Sequence, residues 1–404
     1  MNLPFLTSEL PGIGGTIKDL PEDFFVQEIP LYEPSGEGEH VYCEIEKMGV
    51  TTFDAIDRVA RALNVHPRDI GYAGLKDAAA ITRQIFSIPG TTEAAVMNLN
   101  APDISIKWAA RHGNKLRLGH LAGNRFAVKI REVNPTDVVK LTPLVKLLQD
   151  RGMPNYFGEQ RFGRRGNNHL LGAALLRGDD LGILKLLVGS PDKSLDNHKQ
   201  RAAREAFDRG DYPASMKLWP RSSGAERRVL ARFIKSKNPG GAVRLVDQRI
   251  RRLWISALQS DLFNLVVARR IDSLDKVLPG DLAEKEENGA VFLVEDVAAE
   301  QPRCEAFEIS PTGPLIGYRM TLPEHKPLEI EEEIFASRGI KPGDFRVAGR
   351  LKVKGARRRL RVRPTDVELA AGVDEHGSHI TAAFTLPAGS FATVFLAELM
   401  KVDN

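Results

Sequence analysis

The sequence predicts an α+β fold in which an outer domain, split in sequence and built on a mixed or antiparallel sheet, carries a largely helical insertion in its middle. Three observations lead there. In the first 170 or so residues strand patterns outnumber helical ones without strict strand–helix alternation, which argues against a doubly wound parallel sheet. After about Gly172 the pattern turns helical, and strand texture returns in the last sixty or so residues. The length, 404 residues, suits two or three domains. The expected division is 1–177 and 346–404 for the outer domain and 178–345 for the insertion.

Taken in order, Val41, Cys43 and Ile45 alternate with Tyr42, Glu44 and Glu46, the period of a half-buried strand. Thr51, with Asp54 three residues on, resembles a capping box. Phe53, Ile56, Val59, Ala60 and Leu63 then form one apolar helical face, ending near Asn64 with Pro67 beyond. Further strands are predicted over 85–88, 104–108 and 126–130, and a helix over 138–148. The insertion should hold helices over 175–187, 200–207, 226–234 and 246–271, followed by short apolar runs from about Gly280 to Arg338. Strands over 360–363, 367–369 and 380–384 precede a last helix from Ser390 to Met400, with Ser390 as its N-cap. The ligand-type residues Asp374, Glu375, His376 and His379 lie between two strand patterns and read as a hairpin turn rather than a metal site.

Composition excludes several classes. With 42% hydrophobic and 27% charged residues the chain is neither disordered, collagen-like nor a membrane bundle. Its apolar stretches fall short of the roughly 20 residues of a membrane helix, and the N-terminus lacks the basic and apolar regions of a secretory signal. Cys43 and Cys304 alone supply neither a disulfide framework nor a thiolate zinc site, so reducing cytoplasm is the expected compartment. No P-loop, HExxH or Gly-x-Ser-x-Gly motif is present. Net charge is only +4. Between Lys341 and Arg363, however, stand ten basic residues (Arg350 and Arg357, Arg358 and Arg359 among them) against the single acid Asp344. A second basic group runs from Arg244 to Arg252, and a third is Arg161, Arg164 and Arg165. Each alone reads as a solvated face; together they point to a polyanionic partner.

Two segments could carry chemistry. Asp77 ends Gly71-Tyr72-Ala73-Gly74-Leu75-Lys76-Asp77, whose small residues let the backbone approach another group closely. It is a candidate nucleophile or base, kept ionised by Lys76 or Arg83; the alternative is a turn or capping aspartate. In Asn155-Tyr156-Phe157-Gly158-Glu159-Gln160-Arg161-Phe162-Gly163, aromatic, amide and guanidinium groups suit stacking on a nucleobase and pairing with phosphate. The alternative there is a loop tucked against the core.

Those two segments, with Pro21-Glu22-Asp23-Phe24, Gly36–His40, Lys115–Gly119, Gly123–Phe126 and Leu386–Thr393, resemble in order the motifs of the TruD family of tRNA pseudouridine synthases. The resemblance spans residues 18–393 and is weaker over the insertion, which corresponds to the family's TRUD domain, of α/β character. It implies isomerisation of a tRNA uridine to pseudouridine, in bacterial members at position 13, without a cofactor or metal. It implies Asp77 as nucleophile, Phe24, Phe157 and Phe391 around a flipped-out base, Asn155 orienting the aspartate, and Lys18 close by. Arg161 and the run Arg357, Arg358, Arg359 are then expected on the RNA backbone. The expected protein is cytoplasmic and binds tRNA and no membrane; its oligomeric state stays open, with a monomer as first choice. Two other readings stay open: a catalytically silent RNA-binding protein of the same fold, and an enzyme acting on a small metabolite.

Overall fold

A computed structural model of the chain describes residues 3–346 and 351–402; Arg350 of the basic run lies outside them. The chain forms two compact units, Phe5–Met153 with Val362–Asn404, and Pro154–Arg361 with Met1–Pro4.

The first unit is built on one mixed sheet. Its strands are β1 (Phe24–Pro30), β2 (His40–Lys47), β3 (Gly71–Tyr72), β4 (Ile81–Pro89), β5 (Ile104–His112) and β6 (Leu121–Arg131), joined by the strands Thr365–Asp374 and Gly377–Pro387. The order runs Thr365–Asp374, Gly377–Pro387, β6, β1, β4, β2, β5, with β3 added on β4. Every pairing is antiparallel except β1 with β4, where Phe25 stands opposite Ile81. That one parallel pair leaves β1 and β4 running side by side, with the segment before β4 free to carry Asp77. The Asp374–His379 stretch is the hairpin turn its pattern predicts, with Asp374 opposite Gly377.

Helix α1 (Thr52–Leu63) covers this sheet, and Val41, Ile45, Ile56, Val59, Phe86 and Ile88 share its core. Its start follows the predicted chemistry, since Thr51 accepts a hydrogen bond from the Asp54 N–H. Its end does too, with Asn64 in the left-handed conformation that a C-terminal residue adopts. The expected apolar face needs one correction. Thr52, Ala55, Ile56, Val59 and Ala60 face the core, whereas Phe53 is 56% exposed. Their spacing is a cleaner three-four repeat, and Phe53 stands about 100° off it. The last helix, Ala392–Met400, also starts later than expected: Phe391 occupies the N-cap position and makes no side-chain cap bond, so Ser390 is not the cap.

The second unit centres on the helix Gln248–Arg269. The helix predicted over 175–187 is two helices, Asn168–Arg177 and Asp180–Val188. Gly178 at φ 71° ends the first, and Asp179 caps the second through the Gly182 N–H. A four-stranded sheet runs Ala356–Arg359, Ile309–Leu315, Leu282–Lys285, Val291–Leu293.

The units change over at 153/154 and 361/362, not at 177/178 and 345/346. Helix Asn168–Arg177 lies so close to Gln248–Arg269 that a Cβ on Gly172 would stand 2.3 Å from the Trp254 carbonyl oxygen. Strand Ala356–Arg359 pairs with Ile309–Leu315, Arg358 opposite Gly313. Both segments therefore fold with the insertion. Among the described residues no helix is long and apolar enough to cross a membrane.

Candidate active site

The Asp77 segment is tethered at nearly every residue. Gly119 N–H donates to Ala73 O at 2.8 Å, Gln84 Nε2 to Gly74 O at 3.4 Å, and Lys76 N–H to Thr52 Oγ1 at 3.0 Å. Gly49 N–H donates to Ala78 O at 3.0 Å. Gly71 is required by space, because a Cβ there would meet Leu116 O at 2.3 Å and Ser87 Oγ at 2.4 Å; Gly74 has no such restriction. A loop satisfied in this way holds its carboxylate in one place before any ligand arrives, which is what a nucleophile needs.

The Asp77 carboxylate is half exposed. Oδ1 accepts from the Ala79 N–H at 3.1 Å, and Oδ2 receives the Lys18 ammonium at 3.2 Å. The same ammonium lies 4.8 Å from the Phe24 ring centre. Lys18 sits at φ 67°, a conformation uncommon for a residue with a side chain, and this sharp turn delivers it to Asp77. Burial pulls the Asp77 carboxyl upward. The Ala79 N–H, the Lys18 charge and hydrogen bond, and the Ala78 N–H together outweigh that pull and hold it below its ordinary value.

The expectation that Lys76 or Arg83 keeps Asp77 ionised is therefore corrected: the Ala79 N–H and Lys18 favour its charged form. Lys76 is buried on Glu28 at 2.9 Å, and Arg83 donates to Glu46 at 2.7 Å. Two residues under the segment were missed in the sequence. Lys47, 1% exposed, donates from Nζ to Val50 O at 2.6 Å and Asp77 O at 3.3 Å. Burial brings its ammonium down to about 8, against the raising effect of the Asp77 charge. Glu28 shares the inward parity of Phe24 and Val26 on β1, and burial pushes its carboxyl up despite Lys76. An inward charge at a strand's hydrophobic parity is the cue that would have found Glu28.

The structure thus brings Lys18, Phe24 and Asp77 together. Phe24 is 5% exposed and meets Phe126 edge-on at 6.4 Å. Phe391 belongs to the same unit, at the start of the last helix. Asn155 and Phe157 belong to the other unit. There the Asn155 amide is engaged on both sides: Oδ1 accepts from Arg358 at 2.6 Å and Nδ2 donates to Arg359 O at 2.9 Å. The Phe157 backbone exchanges two hydrogen bonds with the Asn264 amide, and its ring carries the Arg358 guanidinium at 4.3 Å.

The four arginines expected on the RNA backbone are partly exposed, and each is engaged by side chains of its own unit. The Arg357 side chain, 5% exposed, binds Glu331 through both terminal nitrogens and Thr312 through Nε. Arg358 packs on Phe157 and Phe263, and burial brings its guanidinium down to about 10. Arg359 pairs with Glu284 and Glu286. Arg161 donates to Ser256 Oγ at 2.5 Å and to Ser260 Oγ at 3.3 Å. Carboxylates distant in sequence, Glu284, Glu286 and Glu331, neutralise Arg357 and Arg359, two of a run that looks uncompensated in one dimension.

The family model described as tRNA pseudouridine synthase D (TruD) matches residues 1–399. A tRNA pseudouridine synthase D of Geobacter metallireducens is 50% identical over 398 residues, covering 98% of this chain and 97% of that protein. Its counterpart from Geobacter sulfurreducens is 49% identical, covering 98% and 96%. A crystal structure from Methanosarcina mazei, titled as a protein of the same description, superposes with a TM-score of 0.86 at 28% identity, covering 100% of this chain and 97% of that one.

Proposed function

The chain belongs to the tRNA pseudouridine synthase D family, and from that premise we propose that it isomerises a tRNA uridine to pseudouridine with Asp77 as the nucleophile. The observation that carries the residue assignment is the Asp77 carboxylate itself: half exposed, fixed by a tethered backbone, and favoured in its charged form by the Ala79 N–H and by Lys18. The reaction breaks the N1–C1′ bond and forms a C5–C1′ bond; C5 loses a proton and N1 gains one. No atoms are gained or lost overall, so an ionised carboxylate that adds and later leaves is sufficient as the covalent group. The uridine must leave its stack to reach Asp77, and Phe24, packed beneath the Lys18 ammonium, forms part of the apolar wall beside that carboxylate. Lys18, between Phe24 and Asp77, places a positive charge where the base loses its glycosidic bond and gains negative charge.

Position 13 of tRNA and a cytoplasmic location form part of the proposal. The roles implied for Asn155, Phe157 and Phe391 stay with it and are read as single substitutions in the same assay. The test is mass-spectrometric mapping of pseudouridine after unmodified tRNA is incubated with wild type and with Asp77→Ala. Pseudouridine at position 13 with wild type and none with the variant is the expected result. Equal product from both removes Asp77 from its role. Binding without product from either favours a silent RNA-binding protein, and absence of tRNA binding favours a small-molecule enzyme.

A further inference from the structure

Four large apolar side chains stand in solvent beside the Asp77 segment. Leu75, two residues before Asp77, is 61% exposed. Phe53 is 56% exposed and follows Thr52, whose hydroxyl holds the Lys76 N–H. Met48 is 43% exposed and precedes Gly49, which holds Ala78 O. Leu118 is 67% exposed and precedes Gly119, which holds Ala73 O. Each is thus within one residue of a hydrogen bond to 73–78, or within that segment. Tyr72 meets Phe53 edge-on at 6.0 Å, and Arg117 beside Leu118 is also exposed.

Single exposed apolar residues are ordinary. Four fastened to the loop that carries one reactive carboxylate are not explained by the fold, since Phe53 lies off the buried face of α1 and Leu75 lies in a loop. We propose that Phe53, Leu75, Met48 and Leu118 form a contact rim for the RNA nucleotides that flank the flipped uridine, with Arg117 against their phosphates. The inference rests on the reading of this chain as a tRNA uridine isomerase. Its occupant follows from continuity with Asp77: any molecule that offers a uridine to that carboxylate also brings the nucleotides on either side to the rim. Extruding one base exposes the faces of its two neighbours, and these are flat and apolar. An aromatic ring and flexible aliphatic chains cover such faces without reading sequence, as on other single-strand platforms.

The test uses the full-length protein and unmodified tRNA transcript. Phe53→Trp in the Asp77→Ala background is titrated with tRNA, with Asp77→Ala alone supplying the background from the three native tryptophans. Independently, Phe53→Ala with Leu75→Ala is assayed for pseudouridine formation and for its unfolding midpoint. The expected result is saturable quenching of the introduced indole, and a rise in KM of about tenfold or more with kcat within about twofold and the midpoint unchanged. Filter-measured tRNA binding without a response from that indole, or an unchanged KM, overturns the rim. So does concentration-dependent self-association abolished by the double variant with tRNA affinity intact, which would make a second copy the occupant. If the wild type forms no pseudouridine, the catalytic reading fails by itself, while the fluorescence titration, which needs no turnover, still decides the rim.

Discussion

Substituting Lys18 by Met separates two jobs that its ammonium could do: keeping Asp77 ionised, or acting on the reacting base. The structure gives the size of the first. The pair is 3.2 Å apart, but its side chains are 30% and 49% exposed, so it is screened by water and salt. Such a pair contributes about 0.2–1 kcal/mol. One pH unit of titration is worth about 1.36 kcal/mol, so loss of Lys18 moves the Asp77 limb by less than about one unit. The direction is upward, because Lys18 favours the charged carboxylate and burial opposes it. Asp77 now titrates below its ordinary 3.8, with the Ala79 and Ala78 N–H groups still in place, so it stays ionised at neutral pH without Lys18. A loss of activity in Lys18→Met at pH 7 then belongs to the second job. The assay is tritium release from tRNA carrying 5-tritiated uridine, read from about pH 5 to 9. Lys47 titrates near 8 beneath Asp77, so the quantity compared is the variant-to-wild-type ratio at each pH. The expected ratio is low and flat above about pH 5.5. A ratio that climbs to one by pH 9 would refute the reasoning, because it would place the variant's limb several units higher than an exposed ion pair can move it.

Three other outcomes are expected. Arg357→Met leaves Glu331 buried without its partner, and should lower unfolding free energy by about 3–5 kcal/mol in urea titration; unchanged stability with a raised KM for tRNA would return Arg357 to the RNA face. Thr51→Ala removes the N-cap of α1 and should cost about 1 kcal/mol in thermal unfolding, while no loss would mean that the packed helix needs no cap. Cys43 is fully buried with its thiol pushed up to about 12, and Cys304 is buried with its thiol raised as well. Ellman's reagent should leave both untouched in the native protein and titrate both after denaturation, and rapid native reaction would contradict that burial.

What was legible in the sequence was local. Thr51, Asp54 and Asn64 mark the ends of α1 because capping is settled by residues within one turn of each other. The sheet strands β2, β4, β5 and β6 follow from alternation and β-branched runs. The unit boundaries did not follow, for a physical reason. Residues 154–172 share their texture with what precedes them, and contacts distant in sequence, of Phe157 with Asn264, Arg161 with Ser256 and Gly172 with Trp254, assign them to the other unit. A composition shift marks where helices begin, whereas a unit ends where its core ends, and cores are assembled by contacts distant in sequence.

The same distinction governs the site. Asp77 stood out because glycine punctuation and family motifs are both local, but its electrostatics could not be read from neighbours in the chain. Lys76 adjoins Asp77 in sequence and yet spends its charge on Glu28, while Lys18, 59 positions away, makes the pair. Lys47 approaches from beneath through the carbonyl and not the carboxylate. The arginines show the converse. Arg357, Arg358 and Arg359 are consecutive, and in a β-strand consecutive side chains leave on opposite faces. A run of three charges on a strand therefore cannot present one basic surface: Arg357 and Arg359 turn to Glu331 and Glu284, and Arg358 turns to Phe157. Basic density along a strand has to be halved by parity before it counts toward an RNA face, and here the remaining half meets carboxylates.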